Sequence, residues 1–215
     1  MGSRSIVAFD FPGCGNSAYP HGTHLTLGDL VDITDHVVSV LKLQSFTLIG
    51  HSMGGAVGLE YTRRHTEQVK CFINIEGNLV PEDCFMTRQL SSVPYEQFRC
   101  KQLPELIEKC RKSTNVGFQH YAHDNLAVVD PQGLYDYAAS TVDWSDNLPL
   151  LQHYVGLTPP KLFVYGNANK KTLSKTLATL QSNGCPVASV GHSDHFPQYD
   201  NPSQLAQVIA ASGAT

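Results

Sequence analysis

The feature that most constrains the fold is the sequence Gly-His-Ser-Met-Gly at residues 50–54, between an apolar run of β type and a stretch compatible with a helix. So tight a turn from strand to helix holds Ser52 in a strained backbone conformation, and small residues at positions 50 and 54 let neighbouring segments approach. The Ser52 hydroxyl is then exposed above the sheet as a candidate nucleophile. The backbone N–H of Met53, in the first turn of the helix, is free to donate to a developing oxyanion.

Apolar runs of strand type alternate with helical patterns along the chain. Thr26 is a candidate N-cap with Asp29 completing a partial capping box, and Pro202 suits the first turn of a last helix. Buried strands that alternate with helices favour an α/β fold with a mostly parallel sheet covered by helices. Strands are predicted over residues 5–10, 46–49, 71–75, 161–165 and 186–190, and helices over 27–43, 172–182 and 202–211.

The alternation stops over residues 79–159, which carry helical patterns near 95–111 and 131–140 but no convincing strand pattern. The segment closes at two consecutive prolines. We interpret it as a helical cap, or lid, inserted into an α/β core formed by residues 1–78 and 160–215.

Composition excludes several classes of partner. The net charge is −4 and no Lys/Arg block is longer than two, so neither nucleic acid nor an anionic membrane surface is expected as a partner, and a small-molecule substrate remains. The N-terminus lacks the apolar segment of a signal peptide and no apolar run is long enough to span a membrane, which predicts a cytoplasmic location. The six scattered cysteines fit reduced thiols.

The sequence predicts neither a cofactor nor a metal. It contains no Gly-x-Gly-x-x-Gly or Walker-type loop for a nucleotide. His120 and His123 have a spacing that metal sites use, but no third, separated ligand accompanies them.

Three motifs in order resemble the α/β-hydrolase superfamily, in particular its cap-bearing members related to epoxide hydrolases, haloalkane dehalogenases and serine-dependent ester or carbon–carbon hydrolases. The motifs are Asp-Phe-Pro-Gly-Cys-Gly-Asn-Ser at 10–17, Gly-His-Ser-Met-Gly-Gly at 50–55, and His-Phe-Pro followed by Asp-Asn-Pro at 195–202. The resemblance implies a serine hydrolase acting on a small, fairly apolar ester, lactone or related acyl compound. Epoxide or halide processing is not expected, because those relatives place Asp at the position of Ser52.

The resemblance also implies a base and an acid for Ser52. His195 is preferred over His192 as the base, because the Phe-Pro and Asp-Asn-Pro that follow it set the register of the family's histidine loop. Many relatives carry the acid after the strand at 161–165, but here Asn169 occupies that place. We therefore predict Glu76, at the end of strand 71–75, as the acid, with Asp83 or no residue as the alternative.

In the family, three strands precede the one that matches residues 5–10, and a loop among them supplies a second oxyanion donor. Their absence predicts two unpaired apolar edges, at 5–10 and 46–49, and leaves three alternatives: a longer protein, a sheet that has closed up, or association with another chain, including a homo-oligomer. It also leaves a competing function, a non-catalytic binding protein with an incomplete oxyanion hole.

Overall fold

The structure is a computed structural model, and it describes residues 5–212. Its centre is a four-stranded sheet in which every neighbouring pair is parallel and the strands follow in chain order. The predicted mostly parallel sheet covered by helices is therefore confirmed. The strands are β1 (Phe46–His51), β2 (Val69–Ile75), β3 (Lys161–Gly166) and β4 (Val187–Val190).

Helices cover both faces of the sheet because successive strand residues point to opposite sides. On one face, Phe72 and Phe163 pack with α1 (Leu27–Val40), α2 (Met53–Arg64) and α9 (Ser174–Ser182). On the other face, Ile73 and Val164 pack against α11 (Pro202–Ala211). Thr26 and Asp29 form the expected capping box of α1, and Pro202 opens α11.

Between β2 and β3 all the regular elements of the described residues are helices. A separate small core here includes Leu90, Phe98 and Leu126. Residues of α8 (Leu150–Val155) instead join the main core, so the last helix of this region packs with the sheet layers. The division into a core and an insertion over residues 79–159 remains a prediction. The helices are α3 (Phe85–Ser91), α4 (Tyr95–Gln97), α5 (Leu103–Arg111), α6 (Val116–His120), α7 (Pro131–Asn147) and α8 (Leu150–Val155).

Short irregular helices join these elements. Single-turn 3₁₀ helices lie at Pro81–Cys84 and Asn167–Lys170, and π-helical turns lie at Phe98–Gln102 and Tyr121–Leu126. The loop after β4 contains a further short helix, α10 (Pro197–Asp200). No helix within residues 5–212 is long and apolar enough to cross a membrane.

The strand predicted over residues 5–10 is wrong. These residues lie outside any regular element and are exposed, with Ile6 at 92%. A buried strand needs a hydrogen-bonding neighbour and apolar cover, and an apolar run alone supplies neither. Within the described part of the chain β1 pairs with β2 only, and Ile49 on it is half-exposed.

Candidate active site

Ser52 lies in the turn between β1 and α2 with φ 51° and ψ −124°, a left-handed conformation that costs a non-glycine residue free energy. A Cβ at Gly50 would lie 2.3 Å from the carbonyl oxygen of Gly54, so only glycine fits there. The expected crowding at Gly54 itself is wrong, because nothing lies within 4 Å of a Cβ placed there. The second close approach is at Gly55, whose Cβ would lie 2.5 Å from the Gly77 Cα.

Three of the predicted site residues are in contact. Ser52 Oγ is 3.1 Å from His195 Nε2, and His195 Nδ1 is 2.8 Å from Glu76 Oε2. Because a carboxylate only accepts hydrogen bonds, Nδ1 carries a proton and the lone pair of Nε2 points at the Ser52 hydroxyl. The arrangement can therefore withdraw a proton from Ser52 and stabilise the resulting imidazolium.

Glu76 follows β2 directly and is held from several directions. Its backbone has φ 46°, and its N–H donates to Val164 of β3 at 2.9 Å. The carboxylate is 4% exposed and accepts the Gly166 N–H at 2.7 Å. Asn169 Nδ2 donates to both carboxylate oxygens, at 2.9 and 3.1 Å. Asn169 thus binds the Glu76 carboxylate, a contact that the sequence did not indicate.

The two alternatives to these residues lie elsewhere. His192 is exposed in the loop after β4, with φ 53°. Asp83 accepts the backbone N–H groups of Leu79 and Val80 at 2.9 and 3.1 Å. Burial raises the pKa of Asp83 to about 6, and the two N–H donors oppose this shift. Asp83 therefore ties down the backbone where the helical region begins.

His51 is a further residue that the motif did not single out. Its Nε2 donates to the backbone carbonyl of His195 at 2.7 Å, and the two rings are 4.8 Å apart. Burial and the nearby His195 lower the pKa of His51 to about 3, so its ring stays neutral near pH 7. This hydrogen bond fixes the main chain of His195 against β1.

Met53 is the first residue of α2 and lines the cavity above Ser52. Its N–H therefore lies in the turn where a helix has no internal acceptors for its donors, and the positive end of the helix dipole is here. Such a donor suits a negative charge that develops beside Ser52.

A cavity of about 540 Å³ opens above Ser52 and His195. Its walls are mainly apolar, and the charged side chains beside the site include Glu82, Asp83 and Asp194. His120 and His123 lie outside these walls and both contact Asp124. A cavity of this size and character suits an organic ligand of moderate size. Its apolar walls come largely from the helical region: Leu90, Phe118, Tyr121, Leu126, Val129, Leu134 and Tyr137.

Known proteins resemble this chain in sequence and in structure. It is 22% identical to an uncharacterised protein of Mycobacterium tuberculosis over 95% of its own length, and it spans 66% of that relative. It is 34% identical to a proline iminopeptidase of Chitinophaga pinensis over 46% of this chain and 32% of that protein. Among solved structures, a carboxylesterase of Nitrososphaera gargenis matches with TM-score 0.77 and 16% identity, covering 95% of this chain and 78% of the other.

An esterase of Exiguobacterium antarcticum matches with TM-score 0.75 and 20% identity, over 96% of this chain and 80% of that one. The family model described as the alpha/beta hydrolase fold matches residues 3–99, which include the Ser52 turn and Glu76. The parallel sheet, the turn after β1 and these matches all indicate the same fold. The chain has the α/β-hydrolase fold.

Proposed function

We propose that the protein is a serine hydrolase that cleaves a small, fairly apolar ester, lactone or related acyl compound. The observation that carries the proposal is the continuous line of contacts from Glu76 through His195 to Ser52 at the floor of an apolar cavity. A serine hydroxyl is a poor nucleophile unless a base removes its proton, and this line supplies both the base and the group that orients it.

The reaction proceeds in two halves. Ser52 Oγ attacks the substrate carbonyl carbon while His195 Nε2 takes the hydroxyl proton, and Glu76 stabilises the charged imidazole. The Met53 N–H donates to the tetrahedral oxyanion. When the intermediate collapses, His195 returns its proton to the leaving oxygen and the acyl group stays on Ser52. His195 then deprotonates a water, which attacks the acyl-enzyme and releases the acid.

The competing proposal is a non-catalytic binding protein that keeps the cavity. Met53 is the one oxyanion donor that we assign, and removing one such donor typically costs about 10²–10³ in rate. We therefore expect slow turnover of activated esters. Water access to the acyl-enzyme decides between hydrolysis and acyl transfer.

The substrate class follows from the walls of the cavity. They are mainly apolar, and the three carboxylates nearby favour a substrate without negative charge. Structural neighbours of the chain include esterases and an enol-lactonase of Burkholderia xenovorans, which supports an acyl compound as substrate. We assign specificity to the helical region of residues 79–159, as a cap over the site.

The test is labelling with a broad fluorophosphonate probe, read by intact mass and peptide mapping. We expect one adduct on Ser52 of the wild-type protein, none on Ser52→Ala, and at least about 10²-fold slower labelling of His195→Ala. His192→Ala is the matched control and should label like the wild type, because His192 is exposed outside the line of contacts. Absence of labelling in a chain that circular dichroism shows to be folded would favour the binding-protein proposal.

A further inference from the structure

Two segments meet beside His195. We call residues 191–200, between β4 and the end of α10, the histidine loop, and residues 115–126 of the helical region the cap segment. The two are pressed together, since a Cβ at Gly117 would lie 2.6 Å from the Cβ of Phe196. The Phe196 ring stacks on Tyr121 with centroids 4.9 Å apart and meets Phe118 edge-on at 5.1 Å. Both segments line the cavity, the cap segment with Phe118 and Tyr121 and the histidine loop with His195.

The carboxylate of Asp200 lies at this junction and accepts hydrogen bonds from both segments. From the cap segment, the Gly117 N–H donates to Oδ1 at 2.8 Å and Asn115 Nδ2 donates to Oδ2 at 3.0 Å. From the histidine loop, the Asp194 N–H donates to Oδ2 at 2.8 Å. The Asp194 side chain in turn accepts the N–H of His195 at 2.8 Å. One side chain therefore joins the wall of the cavity to the segment that carries the proposed base.

We propose that Asp200 is a positioning residue that fixes the cap segment against the histidine loop, so that substrate bound against Phe118 and Tyr121 is aligned with His195. This rests on the proposed function, because alignment has a consequence only if His195 takes a proton from Ser52. Its expected signature is a split between substrates. A long acyl chain that reaches the cap segment depends on the junction, and a short one that stays near Ser52 does not.

Because the two oxygens of Asp200 have different donors, mutation can separate its link to the cap segment from its link to the histidine loop. Oδ2 accepts from the histidine loop and from Asn115, whereas Oδ1 accepts from Gly117 of the cap segment. In Asp200→Asn the amide oxygen takes the Oδ2 side, where most donors converge, and the NH₂ group then faces the Gly117 N–H. That variant weakens the link to the cap segment and keeps the loop in place. Asp200→Ala releases both.

The experiment compares hydrolysis of p-nitrophenyl acetate and p-nitrophenyl octanoate. For Asp200→Asn we expect KM for the octanoate to rise about tenfold, as the loss of a charge-assisted hydrogen bond would give, with kcat for both esters and KM for the acetate nearly unchanged. For Asp200→Ala we expect kcat to fall about tenfold or more for both esters, because His195 loses its support. Unchanged octanoate KM in Asp200→Asn, or an equal loss of kcat for both esters in that variant, would overturn the proposal.

Two further variants guard against a general loss of structure. Asn115→Ser removes the amide donor to Asp200 but keeps an N-cap acceptor for α6, and it should reproduce the octanoate KM effect. Asp124→Asn is the control on the cap segment, because Asp124 bonds only the exposed side chains of His120 and His123 and should leave both esters unaffected.

Hydrogen exchange tests the junction independently of catalysis. In Asp200→Asn, peptides covering residues 115–126 should exchange faster while those covering 193–195 keep their protection, and in Asp200→Ala both should exchange faster. If the wild type neither labels nor hydrolyses either ester, the proposed function fails. If it does both but the exchange of 115–126 is unchanged in Asp200→Asn, the proposed function stands and the role of Asp200 is wrong.

Discussion

Ser52 and Glu76 are held by the backbone of two paired strands, whereas His195 and the cap segment are held by side-chain hydrogen bonds. His51 pairs with Ile75 across β1 and β2, and the Ser52 N–H donates to Ile75 at 3.0 Å. Both Ser52 and Glu76 then leave their strands at positive φ. The loops around His195 instead depend on the hydrogen bond that His51 donates and on those that the Asp200 carboxylate accepts. We call Ser52 and Glu76 with their strand ends the strand half of the site, and the histidine loop with the cap segment the loop half. The strand half should lose its structure when its backbone is crowded, and the loop half when single polar groups are removed.

The largest expected effect comes from the acid of the strand half. Glu76→Gln keeps the shape of the side chain but removes the charge that stabilises the imidazolium of His195, so kcat/KM for p-nitrophenyl butyrate should fall about 10³-fold. The comparison of Glu76→Gln with Asp83→Asn checks it, since Asp83 bonds only backbone groups. Equal losses in the two variants would remove Glu76 from the line of contacts.

The next effect tests the backbone of the same half. Gly50→Ala should lower the free energy of unfolding by about 3 kcal/mol, because the added Cβ meets the Gly54 carbonyl oxygen. Gly54→Ala is its matched control, and it should be neutral or stabilising by a few tenths of a kcal/mol, because the position is open and alanine favours a helix. Urea unfolding of both variants measures the difference. A stable Gly50→Ala protein would show that the turn is not constrained as described.

The raised pKa of Asp83, at the start of the helical region, predicts that the free energy of unfolding depends on pH. Its pKa is raised from 3.8 to about 6 in the folded protein, so the folded state binds more protons than the unfolded state between these values. Stability contributed by the protonated acid is present below about pH 4 and is lost as pH rises through 6, by about 3 kcal/mol in total. Asp83→Asn should remove this slope from unfolding free energies measured between pH 4 and 7. An identical slope in variant and wild type would contradict it.

The smallest effect falls where the two halves meet. Asn169 donates to both oxygens of Glu76, so Asn169→Ala should lower kcat about tenfold without changing KM, because the acid loses two contacts but keeps the Gly166 N–H. Lys170→Ala on the same 3₁₀ turn is the control. Steady-state kinetics with p-nitrophenyl butyrate measure both. A change confined to KM would mean that Asn169 contacts substrate instead.

The sequence predicted the strand half of the site better than the loop half, for a physical reason. The carboxyl ends of parallel strands meet at one edge of a sheet, so a serine after one strand and a carboxylate after the next are brought together by the fold. The contacts of Asn169, His51 and Asp200 join segments far apart in the chain, and nothing in local patterns reports such contacts. The capping box at Thr26 and the start of α11 at Pro202 were predictable because their causes are local.

The two errors have the same origin. Residues 5–10 are apolar and rich in strand-forming types, yet whether they form a strand depends on a neighbour that they do not find among residues 5–212. The motif predicted a close approach of neighbouring segments at Gly54. The close approach is instead at Gly55, which packs against Gly77. Both depend on tertiary neighbours.

In the proposed reaction Ser52 forms an acyl-enzyme with help from His195 and Glu76. The most direct measurement is to mix the protein with p-nitrophenyl butyrate, quench in acid, and locate the butyryl group by peptide mass. We predict a burst of p-nitrophenol. When the reaction is quenched early, the peptide containing Ser52 should carry a butyryl group. Turnover without any acyl adduct on Ser52, or an adduct that persists in Ser52→Ala, would show that Ser52 is not the nucleophile.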